Sequence, residues 1–286
     1  MAIGWRCRIH AAQGTAADAL TIPGCALAFA ATRAHLTPMV TMIRLDQYLT
    51  ERGDYQSRSR ARDAIQRGCI SINGKVCHRP SQPVGEKDAV VASDAASAYV
   101  SRAALKLKAG LDATQYSPGG MVALDIGAST GGFTQVLLEA GAAHVTAIDV
   151  GHGQMAASLA SDARVRNLEG VNARDLDREI LQGIDPQFIV SDVSFISLKL
   201  ALPPALDLAR AGAFGIFLIK PQFEVGRENI GKGGIVRSDS LRQGCARELA
   251  QWLDGQPGWR QTHLLPSPVE GSDGNREFLM AGIKDR

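Results

Sequence analysis

Apolar and polar positions divide the chain into a short patterned region that starts near residue 43 and a longer one that starts near residue 99. In the first region, two helical patterns are followed by a β-hairpin and one short strand. Ser57 is the predicted N-cap of the second helix, Gly68 ends it, and Asn73-Gly74 is the hairpin turn. The predicted elements span residues 43–49, 58–67, 69–78 and 89–92. They indicate a small α+β domain over residues 43–91.

In the second region, strand and helix patterns alternate, which predicts a parallel sheet with helices on both faces. The predicted strands span residues 121–126, 144–149, 164–169, 187–192 and 213–219. The predicted helices span residues 102–110 (capped by Ser101), 132–140, 154–161, 175–182, 199–210 and 240–253. Two final strands, near 260–265 and 276–282, have no helix between them and indicate an antiparallel hairpin. The expected fold of residues 99–286 is therefore α/β and Rossmann-like.

The segments outside these regions carry no clear helical or strand period. Residues 92–98 are small and polar, and we interpret them as a linker. Residues 1–41 are expected to be either a disordered extension or the product of a mis-assigned upstream start, because a clean helical pattern begins directly after Met42. No apolar run approaches the roughly 18 residues that a membrane helix needs, so no membrane partner is expected.

Composition and cysteine usage narrow the function classes. Hydrophobic residues make up 45% and charged residues 21% of the 286 positions, as in an ordinary globular protein. The five cysteines are odd in number and lack CxxC spacing, which argues against a disulfide framework or a zinc site. This usage favours a reducing compartment, so we expect a cytoplasmic protein without a metal centre.

Basic residues concentrate in the small domain, where six of them stand between Tyr55 and Arg79 against one acidic residue. Such an excess is typical of a surface that binds nucleic-acid phosphates. The sequence from Arg58 to Lys75, R-x-x-A-x-x-x-I-x-x-G-x-I-x-I-N-G-K, resembles the S-four-type RNA-binding module. The candidate RNA-binding residues are Arg44, Arg58, Arg60, Arg62, Arg67, Lys75 and Arg79.

The sequence from Asp125 to Phe133, DIGASTGGF, joins the first predicted strand of the large region to a helix and is typical of a nucleotide-binding turn. A P-loop would continue with Gly-Lys-Ser/Thr, and Phe133 stands there instead. The glycine spacing also differs from the dinucleotide pattern G-x-G-x-x-G. Gly127 to Gly131 does satisfy the G-x-S-x-G pattern of α/β-hydrolases, but that turn normally follows several earlier strands and here it follows the first.

Acidic residues at two strand ends favour a different ligand. Asp125 closes the first strand of the large region, and Asp149 closes the second, where an α/β nucleotide site usually binds ribose hydroxyls. With the glycine turn, this pattern resembles the S-adenosylmethionine site of class I methyltransferases; the alternative is that both aspartates only cap helices. The candidate cofactor-binding residues are Asp125, Gly127, Ser129, Thr130, Gly131, Gly132, Phe133, Asp149 and Asn172.

Four further blocks resemble the catalytic motifs of the FtsJ-type ribose 2′-O-methyltransferases and occur in that family's order. They are the stretches SRAALK, VSD, FLIK and GNRE. The resemblance implies that the last residue of each stretch belongs to a catalytic tetrad of Lys106, Asp192, Lys220 and Glu277. With the small domain in front and the stretch from Lys220 to Val236, residues 43–286 resemble the TlyA subfamily of haemolysin-named rRNA methyltransferases.

The chemistry of ribose methylation suggests a role for each tetrad residue. A ribose 2′-hydroxyl must lose its proton as it attacks the methyl group, and Lys220 is assigned to accept that proton or to stabilise the developing alkoxide. Asp192 is expected to orient Lys220, while Lys106 and Glu277 complete the network and position the ribose. The glycine-rich loop 226–234 is interpreted as a lid or an RNA contact.

The expected function is S-adenosylmethionine-dependent 2′-O-methylation of a cytidine ribose in 16S or 23S ribosomal RNA, with the RNA or a ribosomal subunit as partner. One alternative is a non-catalytic RNA-binding or ribosome-assembly factor with a vestigial cofactor site; the intact tetrad argues against it. The other is a haemolysin, suggested only by the family's historical name, and the sequence offers no amphipathic membrane segment to support it.

Overall fold

The computed structural model describes residues 42–271 and 274–285. The segment predicted to be an extension or a mis-assigned start, residues 1–41, lies outside the described residues. Within the described ranges, no helix combines the length and the apolar character that a membrane span requires.

Two helices and five short strands make up the small region at the start of the described chain. The helices are α1 (Leu45–Glu51) and α2 (Arg58–Gln66). The strands are β1 (Ile43–Arg44), β2 (Ile70–Ile72), β3 (Lys75–Val76), β4 (Pro83–Val84) and β5 (Val90–Ala92). Strands β2 and β3 form the predicted hairpin and β5 pairs antiparallel with β2. The β1–β4 pair was not predicted from the sequence.

The small region has its own buried core between the two helices and the sheets. The Ser57 side chain accepts a hydrogen bond from the backbone N–H of Arg60, which confirms the predicted N-cap of α2. The apolar residues that α1, α2, β2, β4 and β5 turn inward are Leu45, Leu49, Ala61, Ala64, Ile65, Ile70, Val84 and Val90. This burial agrees with the helical spacing of the apolar residues in the sequence and with the capped start of α2. Both helices therefore form where the pattern predicts them.

The large region is built on a seven-stranded sheet, and the predicted α/β fold is confirmed. Its strands are β6 (Val122–Ile126), β7 (His144–Asp149), β8 (Val165–Glu169), β9 (Phe188–Ser191), β10 (Phe214–Ile219), β11 (Trp259–Pro266) and β12 (Phe278–Lys284). Their order is β11-β12-β10-β9-β6-β7-β8. The five strands from β6 to β10 run parallel, whereas β12 is antiparallel to both β10 and β11, as the predicted final hairpin requires.

Alternate residues of each central strand pack into two separate apolar clusters, one on each face of the sheet. Leu124 and Ile126 of β6 enter one cluster, and Ala123 enters the other. Since β6 lies between β7 and β9, the strand order changes direction beside it. Ligands of open α/β sheets bind outside the carboxyl ends of the strands at such a point, so the topology directs attention to the turn after β6.

Six α-helices accompany the sheet among the described residues, and three of the predicted helices differ from what is observed. The helices are α3 (Ala103–Thr114), α4 (Gly132–Glu139), α5 (Ala157–Ala160), α6 (Leu198–Ala201), α7 (Pro203–Leu208) and α8 (Asp239–Asp254). The helix predicted over 199–210 is divided into α6 and α7, because Pro203 has no N–H to continue the first helix and instead starts the second. The helix predicted over 154–161 is reduced to the single turn of α5.

The helix predicted over 175–182 was wrong. That segment contains the end of a 3₁₀ helix (Ala173–Asp175) followed by turns. Asp177 Oδ1 accepts from the backbone N–H of Ile180 at 2.7 Å, and Gln182 adopts a left-handed φ of 54°. Short polar side chains that bond their own backbone favour turns over helix, so an apolar period alone was misleading here.

The segment predicted as a linker is held on both sides. The Arg60 guanidinium of α2 donates to the carbonyls of Ala96 and Tyr99. From the other side, the Gln135 side chain of α4 donates to the carbonyl of Ala98 at 3.0 Å and accepts from the N–H of Val100 at 2.9 Å. The linker therefore connects a helix of the small region to the helix that follows the glycine turn.

A buried carboxylate fixes the start of the same segment. Asp94, with 3% of its side chain exposed, accepts from Arg67 Nη2 at 2.8 Å and from Tyr55 Oη at 3.2 Å. Burial alone would raise the pKa of the Asp94 carboxyl, but the hydrogen bonds from Arg67 and from the N–H of Ala96 bring it below its ordinary value.

We predict that Arg67→Ala lowers the free energy of unfolding by about 2–4 kcal/mol, because it leaves the Asp94 carboxylate buried without its cation. Urea unfolding monitored by circular dichroism measures this. The matched control is Arg62→Ala on the exposed side of the same helix, with an expected change within about 0.5 kcal/mol. Equal effects of the two substitutions would contradict a structural role for Arg67.

Candidate active site

The turn after β6 brings backbone close to the ends of two other strands. Gly127, with φ of 81°, passes so near β9 that an added Cβ would lie 3.1 Å from the carbonyl oxygen of Asp192. Gly132 starts α4, and a Cβ there would lie 2.9 Å from Cβ of Ser101. These two glycines are needed for close approach, which agrees with the role predicted for the turn.

Asp149 at the end of β7 organises the same turn. Its Oδ2 accepts from the N–H of Ser129 at 2.8 Å, and its Oδ1 accepts from the N–H of Gly151 at 2.7 Å. These bonds hold Ser129 in a left-handed conformation with φ of 46°, which a non-glycine residue rarely adopts. The carboxylate therefore links two turns, and each oxygen keeps a lone pair for a ligand.

A cavity of about 520 Å³ lies at this edge of the sheet, within the roughly 300–1,000 Å³ of small-molecule sites. Its wall combines polar groups with apolar side chains, among them Ser129, Asp149, Asn172, Ile148, Val150 and Val171. This chemistry fits S-adenosylmethionine. The apolar side chains can cover an adenine ring, Asp149 can accept from ribose hydroxyls, and N–H groups in the first turn of α4 can face the amino-acid end.

Two of the predicted cofactor-binding residues stand apart from the cavity surface. Asp125 is fully buried, and its Oδ2 accepts from Thr134 Oγ1 of α4 at 2.7 Å. Gly131 is the left-handed residue before α4, and it faces the side chain of Leu159. We assign both to support of the turn, in place of the direct ligand contact expected from the sequence. Burial raises the pKa of the Asp125 carboxyl to about 7, with a further contribution from the negative charge of Asp192.

A second, smaller cavity of about 200 Å³ adjoins the first, and both walls include Gly127, Ser129 and Asp192. Thr130, Gly132 and Phe133, the remaining residues predicted from the turn, line this second cavity. Lys220 also reaches its wall. The predicted cofactor site and the predicted catalytic lysine are therefore in one continuous space.

The four tetrad residues form two ion pairs. At the cavity wall, Lys220 Nζ lies 2.7 Å from Asp192 Oδ1 and donates to Ser194 Oγ at 2.7 Å. Below the surface, Lys106 of α3 donates to Glu277 Oε2 at 2.5 Å, with side-chain exposures of 9% and 2%. The structure thus brings all four residues together, with the pair at the cavity wall slightly more exposed (12% and 16%) than the deeper pair.

The two pairs act on one another electrostatically. Burial raises the pKa of the Glu277 carboxyl above its ordinary value, and the positive charges of Lys106 and Lys220 offset part of this effect. The negative charge of Asp192 raises it further. Because each acid has a cation beside it, the tetrad can stay ionised in a largely enclosed place.

Two side chains near the tetrad were not singled out from the sequence. Ser194 bonds Lys220, as described above. Asn275 is 1% exposed, accepts from the N–H of Val236 at 3.0 Å and donates to the carbonyl of Gly234 at 2.9 Å. Asn275 therefore holds the glycine-rich loop beside Glu277. A Ser two positions after a strand-end Asp and an Asn two positions before the Glu were visible signals, but nothing in the sequence showed their partners.

Phe195 follows Ser194 and is 91% exposed at the wall of the larger cavity. Its φ of 65° is left-handed, and its ring centroid lies 5.0 Å from that of Phe223. An aromatic ring held open to solvent by strained backbone indicates a functional surface.

The seven basic residues predicted to bind RNA have different surroundings. Arg44 and Arg58 both pair with the buried Asp46, while Arg60 and Arg67 hold the linker. These four are therefore partly committed to the fold, and their role in RNA binding stays a prediction. Arg62, Lys75 and Arg79 are exposed, and none of these three has an acidic partner among the described residues. No group of three or more metal-binding side chains occurs in the described ranges.

Comparison with known proteins identifies both regions. The FtsJ-like methyltransferase model matches residues 99–284, and the S4 domain model matches residues 43–90. The chain is 41% identical to the 16S/23S rRNA (cytidine-2′-O)-methyltransferase TlyA of Mycobacterium tuberculosis, over 85% of this chain and 90% of that protein. It is 39% identical to hemolysin A of Brachyspira hyodysenteriae, over 83% and 98% of the two chains.

A solved structure gives a similar result. A protein described as a hemolysin from Streptococcus thermophilus has a TM-score of 0.67 and 35% identity, over 86% of this chain and 89% of that chain.

We predict that Asp125→Asn changes how stability depends on pH. A carboxyl whose pKa is raised by folding stabilises the fold below its unfolded-state value, and that contribution is lost as pH rises towards the folded-state value. For Asp125 this window runs from 3.8 to about 7. Asparagine keeps an oxygen for Thr134 but has no charge. Between pH 5 and 8, the wild type should therefore lose about 2–3 kcal/mol of unfolding free energy relative to the variant.

Urea unfolding of both proteins at several pH values measures the difference. Parallel pH profiles of the two proteins would show that Asp125 does not titrate in this window.

Proposed function

The chain belongs to the FtsJ-like family of S-adenosylmethionine-dependent methyltransferases, and from this premise we propose that it methylates ribose 2′-hydroxyls of ribosomal RNA. The observation that carries the proposal is the ion pair of Lys220 and Asp192, 2.7 Å long, at the wall of a cavity that continues into the cofactor site. The relative from Mycobacterium tuberculosis is named for cytidines of 16S and 23S rRNA, and we propose the same class of substrate here.

When bound, S-adenosylmethionine supplies a methyl group on a positively charged sulfur. The residues that we propose to hold it are Gly127, Ser129, Thr130, Gly132, Phe133, Asp149 and Asn172. They lie on the turns after β6, β7 and β8, so the rigid strands determine their spacing. Holding two reactants in line on rigid elements can account for several kcal/mol of a barrier, within the ~7–11 kcal/mol of ideal cases.

Lys220 is the residue that we propose to act on the 2′-hydroxyl. Its Nζ is at the cavity wall, with Asp192 and Ser194 fixing its position from two sides. As the cation of this ion pair, Lys220 can stabilise the developing alkoxide through its N–H groups while the hydroxyl proton leaves to water. Asp192 orients Lys220 and balances its charge.

We propose that Lys106 and Glu277 act indirectly, through Lys220 and Asp192. Their pair is buried, so its first effect is on the electrostatics felt by Lys220 and Asp192. From the sequence, both residues are expected to position the ribose directly. We propose instead that they position Lys220 and Asp192 at the cavity wall. Removing either one would leave the other buried without its partner, which is costly.

Exposed groups of the S4 domain and of the cavity wall can bind RNA. Arg62, Lys75 and Arg79 of the S4 domain are open to solvent and can neutralise phosphates. The Phe195 ring beside Ser194 provides a face on which a base can stack. We propose that the protein binds this RNA as part of a ribosomal subunit. We also propose that it acts in the cytoplasm, because that is where such a substrate occurs.

We predict that Lys220→Ala lowers methyl transfer to ribosomal subunits by about 10²–10³-fold, because the N–H groups that stabilise the developing alkoxide are lost. S-adenosylmethionine binding by isothermal titration calorimetry should stay within about threefold of wild type. Transfer is measured by tritiated methyl incorporation into rRNA from a strain that lacks the gene.

The matched control is Lys199→Ala, an exposed lysine on α6, with wild-type transfer expected. Wild-type transfer by the Lys220 variant would contradict the role assigned to Lys220. No incorporation by the wild type on either subunit would favour the non-catalytic assembly factor.

We predict that the triple variant of Arg62, Lys75 and Arg79 to alanine weakens RNA binding and flattens its salt dependence. Each lost phosphate contact should reduce the slope of log affinity against log salt by about 0.7–0.9. Filter binding to rRNA fragments at several salt concentrations measures the slope. An unchanged slope would place the phosphate contacts elsewhere on the protein.

A further inference from the structure

The segment between β7 and α5, residues 150–156, contributes Val150, Gly151 and Gln154 to the wall of the larger cavity and is bonded to β8 and to the glycine turn. On one side, the N–H groups of Gly153 and Gln154 donate to the Glu169 carboxylate of β8, at 2.6 and 3.3 Å. On the other side, the N–H of Ala156 donates to the carbonyl of Thr130 in the glycine turn, at 3.2 Å. We call residues 150–156 the crossing segment.

One side chain of the crossing segment reaches back to the glycine turn. Gln154 Oε1 accepts from Ser129 Oγ at 2.9 Å, and Gln154 lines the larger cavity. This bond adds to the one from the N–H of Ser129 to Asp149. Two bonds thus retain the left-handed conformation of Ser129, which by itself costs about 1–2 kcal/mol. Because Ser129 is held in place, the bond from its hydroxyl also determines the direction in which the Gln154 amide points.

The other end of that amide points to a position next to Asp149. A Cβ added to Gly151 would lie 2.1 Å from Gln154 Nε2 and 3.2 Å from Asp149 Oδ1. Both polar groups therefore flank one point on the cavity wall, and the absence of a side chain at Gly151 leaves room for them. With Oε1 bonded to Ser129, the two N–H groups of Nε2 are the part of the amide that can serve a ligand.

A carboxylate and an amide N–H at one point suit a hydroxyl group. A hydroxyl donates one hydrogen bond and accepts others, whereas an ionised carboxylate can only accept. Asp149 alone would satisfy the hydroxyl proton and leave the hydroxyl oxygen without a donor. Gln154 Nε2 supplies that donor.

We propose that Gln154 is a cofactor-binding residue whose Nε2 donates to a ribose hydroxyl oxygen of S-adenosylmethionine, beside Asp149. The bond from Ser129 orients the amide for this contact and joins the crossing segment to the glycine turn. The inference rests on the proposed function only for the identity of the ligand.

Isothermal titration calorimetry of the full chain with S-adenosylhomocysteine, without RNA, tests the proposal. Gln154→Ala should bind about 5–10-fold more weakly than wild type, as expected for one hydrogen bond. Gln154→Glu keeps an oxygen for Ser129 but replaces the N–H donors, so it should lose at least as much. The matched control is Gln251→Ala, an exposed glutamine on α8, with no change expected.

The 2′-deoxy and 3′-deoxy analogues of S-adenosylhomocysteine identify the contacted group. In wild type, one of the two analogues should bind about 5–10-fold more weakly than the parent ligand, and this penalty should shrink to less than about twofold in Gln154→Ala. Wild-type affinity of Gln154→Glu, or equal deoxy penalties in wild type and Gln154→Ala, would overturn the proposal. Thermal unfolding of each variant checks that it is folded.

Because this measurement uses no RNA, it separates the two proposals. If the variants lose affinity for S-adenosylhomocysteine as expected but the wild type transfers no methyl group to rRNA, the proposed function is refuted and the role of Gln154 stands. A wild type that does not bind S-adenosylhomocysteine would refute the role of Gln154 directly.

Discussion

The ion pair of Lys220 and Asp192 depends on the parallel register of β10 and β9. Phe217 pairs with Ser191 in that register, so the residues that follow the two strands emerge side by side at the same edge of the sheet. On the other side of β9, the register with β6 brings the glycine turn to the same edge. Opposite charges 2.7 Å apart are therefore placed beside a small-molecule cavity by strand pairing alone. The buried pair of Lys106 and Glu277 adds a second neutral unit behind them. A site with two acids and two cations can be both polar and enclosed, because each charge has a partner.

Part of this arrangement could be predicted from the sequence, since the strands end at polar residues and the alternation of strands and helices predicts a parallel sheet. Which pair of the tetrad lies deeper could not be predicted, because burial depends on what packs over a residue from distant parts of the chain. Asp125 illustrates this limit. Its position at a strand end suggested a ligand contact, whereas α4 covers it and gives it Thr134 as partner. The helix predicted over 175–182 was wrong for a local reason, since side chains such as Asp177 bond to nearby backbone and form turns.

Charge in the S4 domain shows that one residue type can have two uses. Arg67 and Arg60 point towards Asp94 and the linker carbonyls, and they have the same sequence signature as the exposed Arg62 between them. A count of basic residues locates the helix that carries the charge but cannot separate these uses, because a helix turns successive side chains to different sides. Only the position of the acids and carbonyls, which come from other segments, decides which arginines remain available.

The linker between Asp94 and Ser101 is bonded to α2 through Arg60 and to α4 through Gln135. A segment held in this way is a spacer of set length and direction, unlike a tether that lets two parts swing. When the S4 domain binds an RNA, only those nucleotides that lie at one distance from the bound segment would therefore reach the cavity. Choice of the nucleotide would then follow from the bend and reach of the RNA.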